Sequence, residues 1–122
     1  MIKIIDKRGT GKTSKLCEYA IKNNCDILIP SASGIVHVIG LLRNIASELD
    51  YDIIDVRKSV DSATFAYRGA YDDCVINIMT PNSIVQSKPP TRKLVVDEAE
   101  RVLAYMLTPY VYSYDGFTMS KE

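Results

Sequence analysis

The chain has 122 residues and is 47% hydrophobic, which suits one compact core and leaves little for a second, so residues 1–122 read as a single domain. Fifteen Lys and Arg residues balance fifteen Asp and Glu residues, which excludes a strong overall field drawing the chain onto nucleic acid or a charged membrane surface. Cys17, Cys25 and Cys74 are odd in number and lack Cys-x-x-Cys spacing, which argues against a disulfide framework or a zinc site and for a reducing compartment.

Met1 to Asp6 lacks the layout of a signal peptide, and no apolar run approaches the roughly 20 residues that span a bilayer, so the expectation is a soluble, cytoplasmic chain without a membrane partner. Ile2 to Ile5 is a β-branched run stopped by a Gly-containing turn, and Lys12 to about Asn23 then reads as a helix. Asp26 to Pro30 repeats the strand pattern. After the break at Ser31 to Gly34, Ile35, Val38, Ile39, Leu42, Ile45, Ala46 and Leu49 fall at helical spacing. Tyr51 to Val56 and Cys74 to Met79 are further β-rich runs, separated by a polar stretch without an assigned element. Lys93 to Asp97 is a clear strand, Glu98 to about Leu107 a helix ending before Pro109, and Tyr110 to Met119 a candidate last strand; Ser87 to Arg92 reads as an exposed connection. This alternation predicts an α/β sandwich with a mainly parallel sheet, its binding site formed by loops at the carboxyl ends of the strands.

Between the first strand and the first helix, Gly9-Thr-Gly-Lys-Thr13 matches the latter half of the G-x-x-x-x-G-K-[ST] phosphate loop. The glycines let successive backbone N–H groups face a phosphate, Lys12 reaches the β and γ oxygens, and the Thr13 hydroxyl is placed for Mg²⁺. Arg8, Gly9, Thr10, Gly11, Lys12, Thr13 and Ser14 are therefore the candidate nucleotide-binding residues. Asp97 and Glu98 end the apolar strand Leu94-Val-Val, where an ion-holding carboxylate and a water-polarising carboxylate would stand. Thr13 and Asp97 are the candidate metal ligands, and Glu98 and Lys12 the candidate catalytic pair. Two plainer readings stand beside these: a Gly-rich turn with a surface lysine, and two acids that favour the N-terminal dipole of the next helix.

In order along the chain, Gly9-Thr-Gly-Lys-Thr13, Ile27-Leu-Ile-Pro-Ser31, Ile78-Met-Thr-Pro81 and Val95-Val-Asp-Glu-Ala-Glu-Arg-Val-Leu103 resemble the nucleotide loop, the Pro-Thr motif, the Thr-Pro motif and the Asp-Glu-Ala-Asp/His box of superfamily 2 helicases. The resemblance covers most of the chain, and its first and last motifs are the specific ones. It implies a RecA-like P-loop NTPase in a three-layer sandwich, binding ATP with Mg²⁺. It also places Thr118 or Ser120 as a sensor of the γ-phosphate. Asp6 replaces the loop's first glycine, where a carboxylate facing triphosphate would oppose binding. Arg8 is either its offset or a solvent-facing side chain. The adenine-reading element upstream of the first strand and the second RecA-like domain with its arginine finger are not among the residues read.

The resemblance thus implies a minimal helicase-like ATPase of nucleic-acid processing, acting as a homo-oligomer or with a partner protein that supplies an arginine, on single-stranded or duplex nucleic acid. Arg43, Arg68 and Arg101 are the arginines of the chain itself considered for that role. The alternative class is a nucleotide-dependent binding or regulatory module without turnover, and a third is a small-molecule kinase. Lys88, Arg92 and Lys93 are candidate contacts to nucleic-acid phosphates, and Tyr105, Tyr110, Tyr112 and Tyr114 candidate base-stacking or core-covering aromatics. His37, amid apolar helix positions, is read as a packed or surface histidine without a role.

Overall fold

A computed structural model describes residues 2–4, 12–85 and 93–107. Among the described residues six strands form one sheet in the order β1-β6-β2-β5-β4-β3. They are β1 (Ile2–Ile4), β2 (Asp26–Leu28), β3 (Asp52–Lys58), β4 (Ser62–Arg68), β5 (Asp73–Met79) and β6 (Leu94–Val96). The helices among the described residues are α1 (Lys12–Asn23), α2 (Ile35–Glu48), which follows a 3₁₀ turn at Ala32–Gly34, α3 (Pro81–Ile84) and α4 (Ala99–Leu107). The candidate strand from Tyr110 to Met119 and the connection from Ser87 to Arg92 lie outside the described residues.

Each long helix follows from its apolar stripe and its stop. Leu16, Cys17, Ala20 and Ile21 are the buried stripe of α1, and Ile35, Val38, Leu42 and Ala46 that of α2. Both helices end alike. Asn24 (φ 51°) and Asp50 (φ 56°) adopt the left-handed conformation. The next residues' amides then reach back, Cys25 N–H to the Ala20 carbonyl at 2.9 Å and Tyr51 N–H to the Ala46 carbonyl at 2.8 Å. This 6→1 bond satisfies a carbonyl that the helix end would otherwise orphan.

The sheet is mixed, not mainly parallel as the sequence suggests. β1, β6, β2 and β5 run parallel, whereas β5, β4 and β3 are antiparallel. The cause is connection length: β3–β4 and β4–β5 are joined by turns of three and four residues (59–61 and 69–72), which bridge only antiparallel neighbours. The turns are closed by Ser59 N–H to the Ser62 carbonyl (2.8 Å) and Gly69 N–H to the Asp72 carbonyl (2.9 Å). β4 lies in the stretch without a predicted element. Its Ala63, Phe65 and Tyr67 point inward at period two, and the Tyr67 hydroxyl donates to the Ile21 carbonyl at 2.6 Å, tying β4 to α1.

Two apolar clusters lie on opposite sheet faces. Ile27, Ile76, Ile78, Phe65 and Val95 pack with the stripes of α1 and α2, and Leu28 and Met79 pack with Val102 of α4 and with Ile84 of α3. The buried Asp26 carboxylate accepts the Asn77 backbone N–H at 2.9 Å and its side-chain amide at 3.2 Å, which fixes β2 against β5. Among the described residues no helix is long and apolar enough to cross a membrane.

Burial also decides the thiols. Desolvation, helped by the nearby Asp97 charge, pushes the Cys17 thiol up to about 12, and Cys25 is equally enclosed, while Cys74 on β5 is half-buried. A colorimetric thiol titration at neutral pH is expected to read about one fast-reacting group in the native protein and three in denaturant. Rapid labelling of all three before unfolding would contradict this packing.

Candidate functional site

The parallel half of the sheet brings the site together. Ile4, Val96 and Leu28 are register partners at the ends of β1, β6 and β2, so the segments that leave these strands start side by side at one sheet edge. Asp97 extends the ladder by one bond, its N–H donating to the Leu28 carbonyl at 2.9 Å. Thr13 stands in the first turn of α1, which brings the chain back over this edge. Its hydroxyl donates to Asp97 Oδ2 at 3.2 Å, a contact between residues 84 positions apart.

Asp97 is 6% exposed, and among the described residues its Oδ1 has no hydrogen-bond partner. Desolvation raises its pKa above the ordinary carboxylate value, and Glu98's charge adds to the rise. The Thr13 hydroxyl, the Lys12 ammonium and the Glu98 backbone oppose it. A buried anion with one oxygen unused is costly, and sites of this kind are completed by a cation or a further donor.

Glu98 follows in a left-handed conformation (φ 49°), uncommon for a residue with a Cβ and a mark of local strain. Its carbonyl accepts the Val102 N–H at 3.1 Å, which starts α4, and its Oε2 accepts from Arg101 Nη1 at 3.0 Å. A cleft of about 150 Å³ opens in front of these residues. Thr13, Asp97, Glu98 and Arg101 line it, together with Ser31, Ser33 and His37 from the segment after β2 and the first turn of α2.

The structure therefore gathers Thr13, Asp97 and Glu98 in one place, with Lys12 close enough to act on the charge of Asp97 and Ser14 next along α1. Arg8, Gly9, Thr10, Gly11, Thr118 and Ser120 lie outside the described residues, as do Asp6, Lys88, Arg92, Tyr110, Tyr112 and Tyr114. Arg68 stands at the opposite sheet edge, where it bonds Asp73 at 2.8 Å. Lys93, just before β6, is likewise at the edge away from the cleft. Tyr105 is half exposed on α4. Thr80 of the Thr-Pro motif is buried, its hydroxyl donating to the Asp61 carbonyl of the β3–β4 turn at 2.9 Å while its N–H donates to Ser83 Oγ at the start of α3.

His37 and Ser33 are the cleft residues that sequence reasoning passes over. The available signal is position: His37 is off the buried stripe of α2 yet in its first turn, and the first turns of helices that follow parallel strands border the crevice at the strand ends. The chain has no match among protein families, curated proteins or solved structures.

Proposed function

We propose that the chain binds a nucleoside triphosphate, ATP with Mg²⁺, on the segment from Asp6 to Ser14, and that it is a RecA-like P-loop domain of a minimal helicase-like ATPase. The Thr13–Asp97 hydrogen bond carries this reading, because two motifs recognised separately in the sequence meet across the fold. The donor set suits the ion. An octahedral Mg²⁺ with ligands at 2.0–2.1 Å needs adjacent oxygens about 2.9 Å apart. Thr13 Oγ1 and Asp97 Oδ2 are 3.2 Å apart, and among the described residues Asp97 Oδ1 has no partner. Among the described residues no three His, Cys, Asp or Glu side chains cluster, so further ligands would come from phosphate and water, the usual pattern for Mg²⁺.

When bound, the ion would draw charge from the phosphates. The chain's own part is positional: Lys12 takes the β and γ oxygens, and the cleft in front of Asp97, too small for a whole nucleotide, has room for the terminal phosphate and a water. Glu98, at the mouth, is set to accept a proton from that water. Hydrolysis by this chain alone is slow, and a second copy, a partner protein or nucleic acid would speed it.

The Lys12→Ala variant tests this. It is expected to fold as the parent does and to lose at least about tenfold in triphosphate affinity, since charge-assisted bonds to phosphate contribute about 1.5–3 kcal/mol. Calorimetric titration decides it, and equal affinity in the two proteins would remove the loop assignment.

A further inference from the structure

Granting that triphosphate occupies the cleft, we infer that Arg101 is a second cation for the transferring phosphoryl group, supplied by the chain itself, and that its pairing with Glu98 keeps both side chains idle until the nucleotide arrives. Of the described arginines, Arg101 alone lines the cleft; Arg43 is outside it, and Arg57 and Arg68 are engaged by Asp55 and Asp73. Its guanidinium holds Glu98 Oε2 at 3.0 Å, one helical turn away.

The pair is built to be broken. Both side chains are exposed, 63% for Arg101 and 41% for Glu98, and an exposed i,i+3 pair contributes little stability. A terminal phosphate offers two or more anionic oxygens in the geometry that a guanidinium fork bonds twice, so it outcompetes one carboxylate oxygen. Glu98 has less freedom to follow, because its left-handed backbone and the start of α4 fix where its side chain leaves the chain.

Once Arg101 changes partner, Glu98 is a carboxylate without its cation beside the attacking water. The water oxygen bonds to the γ-phosphorus as the bond from that phosphorus to the bridging oxygen breaks. The electron pair stays on the β-phosphate of the departing diphosphate, and the water's proton goes to Glu98. Arg101 faces the charge that builds on the equatorial oxygens, the role for which a positioned guanidinium is effective.

The test compares ground-state and transition-state mimics on the full chain. For Arg101→Ala, affinity for a nonhydrolysable ATP analogue with Mg²⁺ should stay within about threefold of the parent, while affinity for ADP with tetrafluoroaluminate should fall at least tenfold. Arg101→Lys, lacking the fork, should recover only a small part of the loss. Competition within the pair gives a second readout: Glu98→Gln should tighten analogue binding about two- to threefold, and the gain should vanish when Arg101 is also Ala. Equal losses for both mimics, restored by Lys, would mean that Arg101 merely braces α4 and would overturn the proposal alone. A parent that binds neither mimic would instead overturn the reading of the phosphate loop on which it rests.

Discussion

Replacing Asp97 by Asn is expected to raise the melting temperature of the ligand-free protein while removing the Mg²⁺-dependent part of its affinity for triphosphate. The two effects share one cause. Burial raises the carboxyl pKa above the ordinary aspartate value of 3.8, so between that value and the raised one the folded protein holds more protons than the unfolded chain. Stability therefore falls as pH rises through this window, and above it the ionised Asp97 exerts its full destabilising effect. Asn keeps the shape and an acceptor for Thr13 without the charge. The gain should be about 1 kcal/mol, roughly 3–5 °C for a domain of this size, and should shrink as pH is lowered towards 4. With Mg²⁺ and ATP analogue the order reverses: the parent is stabilised by the ligand, and the variant loses that shift along with about tenfold or more in affinity. Melting curves of both proteins across pH, with and without ligand, decide it. A variant that melts lower in the absence of ligand, or that keeps the ligand-induced shift, would refute the site. The opposite signs are the useful part, because a merely structural Asp97 would lose stability and binding together.

How much of this was legible in the sequence depends on whether local signals or packing decided each feature. The helices α1 and α2 begin and end within a residue or so of where their apolar periodicity runs out, and Asn24 and Asp50 supply the stop in the chain itself. The strand before Asp97 was legible because Leu94, Val95 and Val96 form a short apolar run closed by acids. β4 was not, since Ser62-Ala-Thr-Phe-Ala-Tyr-Arg68 alternates small residues with only two large ones and gains its strand character from pairing on both sides. Missing it also hid the antiparallel half of the sheet, because the pair of short turns became one long polar connection. At the site, Thr13 and Asp97 could be matched from motif chemistry alone. His37 and Ser33 could not: what brings them to the cleft is the packing of α2 across the sheet, and neither residue carries a local pattern of its own. The Thr80 hydroxyl, within a motif match, donates to the β3–β4 turn, a contact with no local signal.

Substituting Glu98 by Gln is expected to lower turnover by about 10²-fold or more, within the range for losing a general base, while triphosphate affinity is retained or slightly increased. A carboxylate that takes the water's proton acts in the transition state, so its loss appears in rate and not in ground-state binding. Gln preserves the size of the side chain and a hydrogen-bonding oxygen, but at neutral pH it accepts no proton. The plainer reading, an acid at the start of α4, predicts something different: a stability loss of a few tenths to about 1 kcal/mol, from the helix dipole and the weak bond to Arg101, with rate following only the folded fraction. Phosphate release, nucleotide affinity and melting temperature measured on one preparation separate the two, and single-stranded DNA or RNA added to the rate assay shows whether a partner is needed for the parent to turn over. If the parent binds triphosphate and releases no phosphate with or without nucleic acid, Glu98 has no water to activate. The Glu98–Arg101 pair is then a closed contact, and the chain works by binding nucleotide rather than by consuming it.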